Sequence, residues 1–126
     1  MDKKAAVLQI ILTPASHAEI SALTRPLQLE ILNDFQKLAA NAFESGDSFG
    51  DQIATIKKED RELYRFRARD YRIYFEKTDQ GLVIRRILHK NTLKDFLFRS
   101  QIPMTPFDEE HLGQNPQFWS LIDAVR

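Results

Sequence analysis

The sequence predicts an α+β domain, and three observations carry that expectation. An apolar run opens the chain, two helical segments follow it, and three consecutive segments then alternate apolar and polar residues with turn signals between them. The order is an N-terminal strand, a helical hairpin, an antiparallel β-meander and C-terminal helices. Residues 5–12 (AAVLQIIL) suit a short strand buried on both faces. Basic residues before this run resemble a signal peptide, but Asp2, Gln9 and the lack of an A-x-A site favour the strand. Thr13-Pro14 reads as an N-cap with proline at the first helical position, opening a helix to about Leu23. Thr24-Arg25-Pro26 starts a second helix, whose Leu27, Ile31, Phe35, Leu38 and Ala42 share one stripe up to a stop near Gly46.

Residues 45–52 read as a loop, and 53–58 as a short strand or the start of a long one, with a break at Glu59-Asp60-Arg61. In 63–69 (LYRFRAR), Phe66 and Ala68 take one face and Arg65, Arg67 and Arg69 the other. Asp70 turns the chain into 71–77. There Tyr71, Ile73 and Phe75 form the apolar face, and Arg72, Tyr74 and Glu76 the polar one. Thr78-Asp79-Gln80-Gly81 is a hairpin turn, and 82–88 (LVIRRIL) returns as the third strand of the meander. Asn91 or Thr92 then caps a helix with Leu93, Phe96 and Leu97 on one side. An extended linker carries two prolines, Pro103 and Pro106. Asn115-Pro116 starts a last helix bearing Phe118 or Trp119, Ile122 and Val125. The expected division is a domain over 1–99 and an acidic linker with a C-terminal helix over 100–126.

Composition narrows the chemistry. The 126 residues contain no cysteine, which excludes disulfides, thiolate zinc sites and thiol nucleophiles. His17 and His111 stand alone, and no spacing suggests metal ligands, so neither metal nor cofactor is expected. No P-loop, G-x-S-x-G or dinucleotide glycine motif occurs. No run approaches a membrane span, and a cytoplasmic, reducing setting is expected. Net charge is zero, with 18 basic and 18 acidic side chains, yet residues 61–99 hold eleven cations against five anions, a balance of +6. Such clustering either attracts polyanions or forms a solvated face paired with the acidic remainder of the chain.

The middle of the chain resembles the RelE/ParE superfamily of bacterial toxin–antitoxin proteins. The resemblance lies in Tyr64-Arg65-Phe66-Arg67-Ala68-Arg69, then Asp70-Tyr71-Arg72-Ile73-Tyr74-Phe75-Glu76, then Val83 to Lys90 ending in His89-Lys90. It implies a RelE-like toxin: a metal-independent, ribosome-associated endoribonuclease that cleaves mRNA by 2′-hydroxyl attack on the neighbouring phosphate. It also implies mRNA on the ribosome and a small antitoxin protein as partners. On this resemblance Arg65, Arg67, Arg72, His89 and Lys90 are the expected catalytic residues, and Arg69, Tyr74, Arg86 and Lys94 the expected RNA contacts. Guanidinium groups suit bidentate phosphate binding but are poor proton donors or acceptors. The family's strand lysine is replaced by arginine at both Arg65 and Arg67, and Phe96 stands where a tyrosine is common. His89, Glu76, Lys90 and Tyr74 remain for proton transfer. Two alternatives stay open: a non-catalytic RNA- or ribosome-binding module on the same fold, and a ParE-like gyrase inhibitor. The tail either completes the core, makes a homodimer contact, or lays its acids near the basic face as an internal brake.

Overall fold

The computed structural model describes residues 9–39, 53–99 and 112–123. Its elements are β1 (Gln9–Leu12), α1 (Pro14–Ser21), α2 (Arg25–Ala39), β2 (Ile53–Lys58), β3 (Arg61–Ala68), β4 (Tyr71–Thr78), β5 (Gly81–His89), α3 (Lys90–Arg99) and α4 (Pro116–Ile122). The five strands form one mixed sheet in the order β1-β5-β4-β3-β2. β2 to β5 run as an antiparallel meander, and β1 joins β5 in parallel, with Gln9 opposite Gly81 and Leu12 opposite Ile84. This is the α+β architecture that the patterning predicts. One expectation needs correction: β1 is an edge strand, exposed at Gln9 and half-buried at Ile10 to Leu12, not a strand buried on both faces. Residues 1–8, 40–52, 100–111 and 124–126 lie outside the described residues. With them lie Ala42, the expected helix stop near Gly46, the expected loop over 45–52, the expected linker after Ser100 and Val125 of the last stripe.

Alternation along the strands creates two cores, one on each side of the sheet. The first lies under α1 and α2 and contains Ile20, Ile31, Phe35, Phe66, Ile73, Phe75, Leu82, Ile84 and Ile87. Phe35 meets Phe75 edge-on at 4.9 Å between ring centroids, an arrangement favoured by the ring quadrupoles. The second core lies under α4 and α3. Ile56, Leu63, Tyr74 and Leu88 of the sheet meet Leu112, Phe118, Trp119 and Ile122 there, with Leu93 and Leu97 packed alongside. The C-terminal helix therefore closes the second face of the sheet.

Two local devices fix the geometry around β5. The β4–β5 register slips between Tyr74 and Phe75, which pair with Arg86 and Ile84, so Arg85 is the extra residue of a β-bulge. The α1 cap holds that bulge. Thr13 and Ser16 form a capping box, the Ser16 hydroxyl donates to the Ile84 carbonyl at 2.8 Å, and the Thr13 hydroxyl donates to the Arg85 carbonyl at 3.2 Å. Beyond Leu12 the edge of β5 loses its strand partner, and α1 supplies a substitute. The Glu19 carboxylate accepts the Ile87 backbone N–H and the Arg86 Nε–H, each at 2.7 Å.

Gly81 is required where the β4–β5 turn meets β1. Its φ is +144°, and a Cβ there would fall 2.3 Å from the Gln9 carbonyl oxygen. Gly81→Ala should cost about 2 kcal/mol through backbone strain and a displaced β1, measured by chemical denaturation.

Candidate nucleic-acid interface

Strand alternation sorts the basic residues between the two faces. Arg65 and Arg67 follow Leu63 at alternate positions on β3, and Arg72 precedes Tyr74 by two on β4, so all three face the side covered by α3 and α4. Arg67 stands directly opposite Arg72, and Arg65 opposite Tyr74. Arg67 is exposed, Arg72 is half-buried with Nη1 donating to the Tyr71 carbonyl at 3.3 Å, and Arg65 is only 3% exposed. At the same end of the sheet α3 begins. Lys90 bonds its backbone N–H to the Asp70 carbonyl at 2.7 Å and holds its ammonium 3.4 Å from the Asp70 carboxylate. Lys94 is exposed one turn later.

Four expected site residues sit elsewhere or act otherwise. Arg69 does not continue the basic face of β3, because it occupies the turn at a left-handed φ of 59°. From there its guanidinium lies 3.4 Å from Glu30 and 3.7 Å from Asp34 on α2. Tyr74 does share the face of Arg65 and Arg72, but it is fully buried edge-on beneath Phe118, so no base can stack on it with α4 in place. Arg86 lies opposite Tyr74, pairs with Glu19 and donates to the Leu121 carbonyl of α4. His89 alternates with Leu88 onto the α2 side, where it meets Tyr71 edge-on at 5.1 Å. The sheet thus separates His89 from Arg67 and Arg72.

His89 also has an unexpected local role. Its Nδ1 accepts the Asn91 backbone N–H at 3.0 Å, so the imidazole serves the start of α3 in place of the expected Asn91 or Thr92 cap. The hydrogen-bond network assigns the proton to Nε2, leaving a donor and no spare lone pair for a base. Glu76 is engaged as well, with one carboxylate oxygen 2.6 Å from Arg61 Nε and the other 2.7 Å from Arg85 Nε.

Arg61 lies outside the expected site and anchors a polar cluster of its own. Its fork donates to both Asp123 oxygens, at 2.8 and 2.7 Å, and its guanidinium lies over the Trp119 ring at 4.5 Å. The hydrogen bond to Asp123, reinforced by Glu76, raises the Arg61 pKa against the opposing effect of burial. The hydrogen bond from Arg61 conversely holds the Asp123 carboxyl below its ordinary range. Burial raises the Tyr64 hydroxyl pKa, aided by Glu62, which accepts its hydrogen bond at 3.2 Å. No local signal marks the Arg61–Asp123 pair, because 61 residues intervene between its members. An open groove of about 660 Å³ beside β2 and β3 has a lining of mixed charge, with Lys57, Arg61 and Lys77 alongside Glu59, Asp60, Glu62 and Glu76. Among the described residues, no group of three or more His, Asp or Glu side chains could hold a metal, and no helix is long and apolar enough to cross a membrane.

No family model matches the sequence, and no curated protein matches it. Among solved structures, a chain of the RelB–RelE antitoxin–toxin complex from Methanococcus jannaschii is similar. The match covers 68% of this chain and 96% of that one, at 15% identity and a TM-score of 0.43.

Proposed function

We propose that this chain is a RelE-like, toxin-type protein that binds ribosome-associated mRNA and so represses translation, with a small antitoxin protein as its partner. The observation carrying the proposal is the direct pairing of Arg67 and Arg72 across β3 and β4, with Lys90 and Lys94 on α3 at the same end of the sheet. Two arginines opposite each other on adjacent strands suit consecutive phosphates of a single strand. Binding is better supported than cutting. His89 lies across the sheet, Glu76 is gripped by two arginines, Arg65 is buried, and Phe96 lacks a hydroxyl. Cleavage is kept as the second reading because the same arginine pair could stabilise a dianionic phosphorane.

The experiment is a salt series on single-stranded RNA binding. Replacing both Arg67 and Arg72 by Ala should flatten the log–log salt dependence by roughly 0.7 for each phosphate that is no longer neutralised. An unchanged slope would overturn the proposal and favour a protein-directed inhibitor. Cutting of translated mRNA on purified ribosomes by the wild type, abolished by Arg72→Ala, would promote the second reading.

A further inference from the structure

The cluster around Arg61 has the composition of an occupied ligand site. Glu76 grips the Nε edges of Arg61 and Arg85, and so pre-orients two guanidinium groups from β3 and β5 about one carboxylate on β4. The Arg61 fork is then filled by the Asp123 carboxylate in a two-bond arrangement, the geometry by which arginine also takes phosphate. Beneath the same guanidinium lies an indole, in the relation that a stacked base would take to it. The residues that close the second core thus end in an acid and an aromatic ring placed as a phosphate and a base would be.

A second observation points the same way. The β-bulge at Arg85 places both Arg85 and Arg86 on the face of Glu76 and Tyr74, and the bulge is held by two hydroxyls of the α1 cap. Bulges that re-aim one side chain concentrate beside functional sites. The groups concerned are also accessible, with side chains exposed to 31% at Arg61, 36% at Arg85 and 45% at Asp123. Arg61 lies on β3 in line with Arg67, about 20 Å away at the rise of an extended strand.

We propose that Arg61 and Arg85, clamped by Glu76, form a second phosphate-binding site for single-stranded RNA, which Asp123 of the same chain occupies as an internal substitute. The site lies at the opposite end of β3 from the Arg67–Arg72 pair and rests on the reading that RNA is the ligand. A phosphate entering it displaces the Asp123 carboxylate, so the C-terminal segment competes with RNA for the same donors.

The test uses the full chain and a twelve-residue oligouridylate. Asp123→Ala should tighten binding about tenfold, the scale of an ordinary coupling between two ligands, and steepen the salt slope. Adding Arg61→Gln or Arg85→Gln to Asp123→Ala should cancel that tightening. Asp34→Ala, the same charge change on α2 across the sheet, should leave affinity within twofold. Trp119 is the single tryptophan, so its fluorescence reports the site directly and should respond to RNA more strongly in Asp123→Ala. Inorganic phosphate alone should compete weakly; competition as strong as that of RNA would overturn an RNA site in favour of a small-anion site. Equal affinities for wild type and Asp123→Ala, with the salt slope still flattened in the Arg67 and Arg72 variant, would overturn the second site alone. Absence of binding by every form would overturn both readings.

Discussion

Phe118→Ala is expected to destabilise the protein by about 4 kcal/mol, the cost typical of emptying a fully buried phenylalanine site. Phe118 is fully buried on α4 and packs edge-on against both Tyr74 and Trp119. The neighbouring sheet cannot collapse into the void, because Tyr74 is held in the ladder between Arg65 and Arg86. α4 has only seven residues, too few to persist alone, so its helicity depends on this packing and on the Asn115 cap. The Asn115 side chain accepts the Gln117 and Phe118 backbone N–H groups at 2.8 and 3.3 Å. Denaturation followed by circular dichroism should therefore show a lower midpoint, and Trp119 emission should shift to the red already in buffer. A loss below about 1 kcal/mol would mean that α4 adds little to the second core.

Glu19→Ala is expected to cost about 3 kcal/mol, the low end for breaking a mostly buried pair. The carboxylate is shared between Arg86 and the Ile87 backbone, with side-chain exposures of 22% for Glu19 and 15% for Arg86. Its removal leaves a shielded guanidinium and an unpaired strand amide together. Glu19→Gln retains shape and one acceptor, so it should recover about half of that loss. Hydrogen exchange should locate the damage, with the Ile87 amide losing more protection in Glu19→Ala than amides of β3. Equal loss throughout the sheet would indicate a global effect and contradict this assignment.

The meander was legible because alternation in Tyr71, Ile73 and Phe75 and the turns at 69–70 and 79–80 are local signals. The starts of α1 and α4 were legible for the same reason, since Thr13-Pro14 and Asn115-Pro116 carry their caps in sequence. Alternation also assigned Arg65, Arg72 and Tyr74 to one face. It could not show that this face is covered, which depends on a helix more than forty residues further along the chain. Arg69 left the pattern because a turn residue follows turn geometry and not strand period. The sequence suggests a reactive His89, whereas the Asn91 backbone amide claims its ring nitrogen. The Glu19, Arg61 and Glu76 contacts escaped altogether, because each joins segments that only the folded sheet brings together.

The parallel seating of β1 against β5 has a kinetic consequence. Gln9 finds Gly81 only after most of the chain exists, while each hairpin of the meander can close from residues already adjacent. During synthesis at about 5–20 residues per second, the first strand and α1 wait several seconds for their seat. The nascent chain therefore acquires its first edge last, and a partner present at birth would meet β5 with that edge still open.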